Sequence, residues 1–337
     1  MATTTISSGS GKSVSVGKIA VGTLTVKADP VTDEVAFEAI KTSLDSVPSG
    51  SKMILNSGEF YGRNPPEANL ELLARFFEKH PSYADKAFLS VKGAYSHGTG
   101  ASCSPENLKK SIDNILSKLR GTKKLDLYEP ARIDRNVTIE SVIETLSSFV
   151  KEGKFDYIGL SECSAATLRR ASAVHHIAAV EIEVSPWSYE EETKKVIATA
   201  KELGTAVIAY SPLGRGFLTG TIKKPEDLAP NDMRRNLTRA KGDAWKNNVA
   251  IVDEVVALAQ KKNVSPAQFS IAWVSSLGSH VIPLPGSSHA KRTTENLSAI
   301  DVSLTPDETA AVFKVLEEHP VVGDRYFGEG SAGVMWG

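Results

Sequence analysis

Cysteine is nearly absent. Cys103 and Cys163 are the only two in 337 residues, and they stand in neither metal-ligand nor disulfide-framework spacing. That count excludes a disulfide-stapled scaffold and leads to the expectation of a reducing compartment, with both thiols as small buried side chains. Long apolar runs are lacking too, and the start MATTTISSGSGKSVSVGK has no secretory apolar core, so a cytoplasmic protein without membrane contact is expected. The same segment is free of acid and rich in Ser and Thr, as transit peptides are, but it holds no arginine. Charge of one sign is missing as well. With 39 Lys plus Arg against 40 Asp plus Glu, there is no basic footprint for nucleic acid. The seven histidines form no metal motif, His175 and His176 are read as helix-end residues, and no metal site is expected.

What is present is a rhythm. Eight short apolar runs (KIAVG, MILN, AFLSVK, KLDLYE, YIGLS, AAVEIEV, AVIAY and HVIPLP) alternate with helical patterns. In SPENLKKSIDNILSKLRG, Ser104 can cap and Pro105 fits the first turn. Leu108, Ile112, Ile115 and Leu119 then share one face before Gly121. TIESVIETLSSFVKEG repeats the logic with Ile139, Val142, Ile143, Leu146 and Val150. Strand and helix alternating eight times predict an α/β fold of the (β/α)8 TIM-barrel type, with a doubly wound open sheet as the alternative. The expected layout is a flexible tail over 1–13, the barrel over 14–320, and a C-terminal tail over 321–337 that can fold back across the barrel mouth. Two additions are expected: a long loop after the seventh strand, from Ser211 to about Asn247, and an extra helix, TPDETAAVFKVLEEHP, after the eighth unit.

A barrel of this kind gathers its functional groups at the carboxyl ends of the strands. Those ends carry Gly22 and Thr23, Asn56 with Glu59 and Tyr61, Lys92, Glu129, Ser161, Glu181 and Tyr210. Two glycine strings mislead. GSGKS, Gly9 to Ser13, has Ile6 where a phosphate loop needs its first glycine, and GEGSAG, Gly328 to Gly333, has neither the strand nor the helix that a dinucleotide fingerprint requires. A better anion site begins at Tyr210, in YSPLGRGFLTG, where Gly214 and Gly216 free the backbone and Arg215 adds charge. With Ser287, Lys291 and Arg292 after the eighth strand, it suggests a dinucleotide carrying an extra phosphate; ordinary solvated loops are the competing reading. Tyr61 and Lys92 end neighbouring strands, so the ammonium can lower the phenol toward a working acid, although a merely packed tyrosine fits equally well.

Taken in order, GEFYG, FLSVK, GLSE, AYSPLGRGFLTG and IPLPGSS followed by RTTENL resemble the aldo-keto reductases, from about Gly17 to Ala299. The resemblance implies NADPH as cofactor and a small-molecule aldehyde as substrate, with Tyr61 as proton donor and Lys92 as its partner. It places the cofactor on Gly22, Thr23, Ser161, Glu162, Glu181, Tyr210, Ser211, Leu213, Gly214, Arg215, Gly216, Ser287, Arg292, Glu295 and Asn296. Tyr210 is expected to stack on the nicotinamide, and Ser161, Glu162 and Glu181 to meet its carboxamide. The family's aspartate position is Asn56, its histidine position Ala131, and a glutamine position Glu181. The substrate pocket is expected to involve Glu59, His97, Glu129 and Ala131, and Asn56 to hold Lys92 less firmly cationic than an aspartate would. NSGEFYGRNPPEANL, DLYEPARID and RGFLTGTIKKPEDL resemble fungal pyridoxal reductases, which implies a place in vitamin B6 metabolism. The alternatives are a broad aldehyde or aryl-alcohol oxidoreductase, and a weakly catalytic module that senses NADPH.

Overall fold

The computed structural model describes residues 1–9, 11–23, 31–62, 64–326 and 335–337. Two strands, β1 (Thr3–Ser7) and β2 (Ser13–Gly17), open the chain, followed by β3 (Val21–Gly22), α1 (Asp33–Asp45), β4 (Met53–Gly58), α2 (Ala68–Lys79) and β5 (Ala87–Gly93). A two-strand flap, β6 (Tyr95–Ser96) and β7 (Gly100–Ala101), precedes α3 (Pro105–Leu119), β8 (Leu127–Pro130), α4 (Ile139–Lys151), β9 (Tyr157–Ser161) and α5 (Ala165–Val174). Then come β10 (Ala179–Glu183), α6 (Glu191–Leu203), β11 (Ala206–Tyr210), α7 (Gly242–Lys262), α8 (Pro266–Ser276), β12 (Val281–Leu284), α9 (Ala290–Ser298) and α10 (Pro306–Glu318).

Eight parallel strands run in the order β3-β4-β5-β8-β9-β10-β11-β12, and a parallel bridge between Gly22 and Gly286 joins the two ends. The Gly22 N–H reaches the Pro285 carbonyl at 3.0 Å across that seam. This is a (β/α)8 barrel. Strand alternation divides its apolar residues in two. Ile54, Phe88, Leu127, Tyr157, Ala179, Ile208 and Ile282 fill the bore, while Leu55, Leu89, Val91, Ile158, Val180 and Val207 pack under the helices.

The helices carry the caps their sequences announce. Ser104 accepts from the Asn107 N–H at 3.3 Å, and α3 ends at Arg120, which itself takes the left-handed turn (φ 53°) ahead of Gly121. On α4 the buried position is Phe149, with Val150 only partly covered. Helix α8 gave no amphipathic signal because it is buried nearly all round, from Ala267 to Val274.

The first residues are not a free tail. β1 and β2 pair antiparallel, and Ile6, 1% exposed, packs with Val16 and Ala20 to floor the bore at its amino end. Strands so rich in Ser and Thr carry too little apolar alternation to be read locally. The long segment after β11 is a chain of short 3-10 turns between Gly214 and Ala240 rather than an open loop. The string GEGSAG lies outside the described residues.

Candidate active site

Alternation along the strands sends Asn56, Ser90, Lys92, Glu129, Ser161 and Glu181 into the bore above its apolar filling, all 4% exposed or less. The Lys92 ammonium donates to Asn56 Oδ1 at 2.7 Å and to both oxygens of Glu181, each at 2.7 Å; Glu129 Oε1 stands 3.8 Å away. Asn56 Nδ2 donates to Glu181 Oε2 at 2.6 Å. Burial disfavours the ammonium, but Lys92 stands above the ordinary lysine value, and the Glu181 charge is the chief cause that opposes burial. Burial and the neighbouring Glu181 charge raise Glu129 as well, which for a carboxyl is toward its neutral acid.

Tyr61 lies against this cluster, with Lys92 5.3 Å from its ring centroid. The ring can lie there because residue 58 is glycine: a Cβ at Gly58 would come within 2.8 Å of it. Burial raises the phenol above its usual value, and Lys92 opposes that rise. Beside Tyr61, the rings of Phe60, Tyr95 and His97 form a rim, with His97 5.6 Å from Phe60 and 5.7 Å from Tyr95. Two expected pocket residues are placed differently. The Glu59 carboxylate turns outward, accepting from Ser111 Oγ at 2.6 Å and Asn114 Nδ2 at 2.7 Å on α3. Ala131 is fully buried, so its methyl lines no open pocket.

The expected anion turn at Gly214, Arg215 and Gly216, with φ 53°, 57° and 95°, instead spends its Gly214 and Gly216 N–H groups on carbonyls of the same loop. Two features of the mouth suit a phosphate-bearing dinucleotide. No side chain caps α9, which leaves its first N–H groups, beside half-buried Ser287 and exposed Arg292, for an anion; Glu295 is exposed there and Asn296 buried. Ser161 Oγ is buried without a partner among the described residues. Gly22 is spent on barrel closure, and Thr23 Oγ1 contacts the Asn56 carbonyl and Asn69 Oδ1, each at 2.8 Å. The carbonyls of Ser211 and Leu213 brace the turn by accepting from Gly214 N and Gly216 N, each at 2.9 Å.

Other expected cofactor contacts are drawn elsewhere. Glu181 has both oxygens on Lys92 instead of an outward carboxamide contact. Arg215 gives its charge to Glu183, at 3.1 Å, and not to the loop's own anion face. Tyr210 donates to Glu162 Oε1 at 2.8 Å and also bonds the Tyr326 hydroxyl.

The sequence profile of the aldo/keto reductase family matches residues 18–317. The chain belongs to that family. It is 40% identical over 319 residues to a protein named probable pyridoxal reductase 2 of Schizosaccharomyces pombe, covering 92% of this chain and 95% of that protein. It is also 37% identical to the aldo-keto reductase str7 of Strobilurus tenacellus, over 84% of this chain and 82% of that one. A third relative, the S. pombe aldo-keto reductase yakc, whose name carries NADP(+), is 34% identical over 80% of each chain. Among solved structures, a glycerol dehydrogenase from Gluconobacter oxydans superposes with a TM-score of 0.77 at 23% identity, over 96% of this chain and 98% of that one.

In this aldo/keto reductase the sequence reading expected a tail able to cross the mouth but did not name the partners it brings. Arg325, 2% exposed, enters the mouth and meets Glu162 at 2.8 Å and Glu183 at 3.5 Å. Tyr326 accepts from Arg132 Nη2 at 2.8 Å, and the Arg215 guanidinium lies 5.1 Å from its ring. Glu183 had a signal: it follows Glu181 by two residues in VEIEV, hence on the same strand face. For Arg325 and Tyr326 the sequence offered only a tail able to fold back across the mouth, with no local rule to say which of its residues would reach Glu162 and Tyr210.

Proposed function

We propose that this chain is an NADPH-dependent aldehyde reductase whose substrate is pyridoxal, reduced to pyridoxine. One observation carries the chemistry: a buried, firmly cationic Lys92 beside the Tyr61 phenol at the carboxyl end of the barrel. Reduced nicotinamide, when bound, supplies a hydride to the aldehyde carbon. Tyr61 then gives its proton to the developing alkoxide oxygen, and Lys92 stabilises the phenolate left behind. Ser161 Oγ orients the carboxamide, and the start of α9 takes the phosphates. Ser287 and Arg292 take the extra phosphate that separates NADPH from NADH.

The substrate assignment rests on the near full-length similarity to the S. pombe protein and on the Phe60, Tyr95 and His97 rim, a surface on which an aromatic aldehyde can stack. The test is a panel of pyridoxal, a benzaldehyde and a short aliphatic aldehyde with NADPH, run on the wild type and Tyr61→Phe. The expected result is pyridoxal preferred by kcat/KM, with most turnover lost in Tyr61→Phe while NADPH still binds. Near-normal turnover in Tyr61→Phe would move the acid elsewhere, and a preference for the aliphatic aldehyde would remove pyridoxal.

A further inference from the structure

Lys92 is a cation with 4% exposure in a barrel bore, and such a charge persists only if paired. Its three polar neighbours differ in what they can offer. Asn56 is neutral and supplies only an acceptor oxygen, at 2.7 Å. Glu129, at 3.8 Å and tucked against Gly159, is driven toward its neutral acid. Glu181 alone puts two carboxylate oxygens on the ammonium, both at 2.7 Å. It does so across the bore, because β10 stands three strands from β5, which carries Lys92, on the eight-strand ring. The Asn56 amide bridges the pair, accepting from Lys92 on one side and donating to Glu181 Oε2 at 2.6 Å on the other.

We propose that Glu181 is the counter-ion that keeps Lys92 cationic beside Tyr61, and that Asn56 is the positioning residue holding the pair in register. This rests on the reductase reading above and assigns Glu181 to the proton-transfer machinery instead of the cofactor. A carboxamide at 56 is then required. A second carboxylate there would stand where Nδ2 now sits, 2.6 Å from Glu181 Oε2. The titratable groups facing Lys92 are Tyr61 from the β4 loop, Glu129 from β8 and Glu181 from β10.

The arrangement makes a reciprocal prediction. Moving the carboxylate from β10 to β4 keeps the charge and the approximate volume, so the double variant Asn56→Asp/Glu181→Gln should recover what each single variant loses. Glu181→Gln should lower kcat about tenfold or more and move the alkaline fall of the rate down by about one pH unit, since the Tyr61 phenol loses the Glu181 charge that helps to raise it while Lys92 stays beside it. The NADPH Kd should stay within about twofold, because the altered contacts lie under Tyr61. Glu129 could take over the pairing, so the same series is repeated on a Glu129→Gln background, where the alkaline shift should be at least as large. Melting temperatures of the cofactor-free proteins provide a readout apart from activity: each single variant should melt lower, and the double variant near the wild type.

An unchanged rate and pH profile for Glu181→Gln on both backgrounds would overturn the assignment. So would a weakened NADPH Kd with unchanged kcat, which would return Glu181 to the carboxamide, or a double variant no better than the worse single in rate and melting. If the wild type reduces no aldehyde, the functional reading fails by itself, while the melting cycle still decides the Glu181–Lys92 pairing.

Discussion

At the residue scale, what a side chain can do here depends on which partner its charge finds. Asn56, expected to hold Lys92 less firmly cationic than an aspartate would, supplies no charge; Glu181 supplies it and holds Lys92 above the ordinary lysine value. The pH dependence should therefore follow Tyr61. Its phenol is raised by burial, with Lys92 opposing, so aldehyde reduction, which needs the protonated phenol, should run level through neutral pH. It should fall only above the ordinary phenol value of about 10. Alcohol oxidation, which needs the phenolate, should rise over the same range, and initial rates in both directions from pH 6 to 11 would measure it. Arg292, exposed at the uncapped start of α9, has a different test. Arg292→Ala should weaken NADPH by about 1.5 to 3 kcal/mol, roughly ten- to a hundredfold, and leave NADH nearly unchanged; fluorescence titration with both cofactors checks it. Ala131→His should be chiefly a stability lesion. The site is fully buried, so an imidazole costs about 1 to 3 kcal/mol of overpacking, read as a lower melting temperature.

At the element scale, the two ends of the barrel have separate tasks. The β1–β2 hairpin floors the amino end with Ile6, while Lys18 pins the same end by donating to the Gly278 carbonyl at 2.8 Å and to that of Val281. Deleting residues 1–13 would uncover Val16 and Ala20 and remove Ile6, whose burial is worth about 1.5 to 3 kcal/mol. The expected outcome is a clearly lower melting temperature with kcat near the wild-type value at low temperature, since Tyr61 and Lys92 lie at the opposite end. Loss of kcat in a folded truncation would show that the two ends communicate. The segment after β11 is tied down likewise: Arg239 donates to Ser188 Oγ at 2.9 Å and to the Gly323 carbonyl at 2.9 Å, fastening the turns to the chain end.

At the scale of the whole molecule, the carboxylates of the mouth depend on arginines from remote parts of the chain. Burial would raise Glu183, but the charges of Arg215, Arg325 and Arg239 bring it below its ordinary value. A carboxylate lowered on folding adds stability above its unfolded pKa of about 4.3, and that contribution fades as pH falls through the lower folded value. Arg325→Ala removes one of those charges and leaves Glu162 and Glu183 in the mouth with less pairing. It should cost about 3 to 5 kcal/mol, the usual penalty for breaking a buried pair, and shift acid unfolding to higher pH; melts between pH 7 and pH 3 would show both.

The sequence by itself determined the eight strands, their parallel order, the cap at Ser104, and the strand-end positions of Asn56, Lys92, Glu129 and Glu181. These follow from periods of two and 3.6 and from residues a few places apart, which are local rules. Tertiary structure decided everything that needed a distance across the ring. It made Glu181 the partner of Lys92, turned Glu59 out to α3, folded the first strands under the bore and brought Arg325 into the mouth. In each case the physical cause is the same: a buried charge or an open apolar end must be matched by whichever group the closed barrel brings near, and sequence separation does not record which group that is.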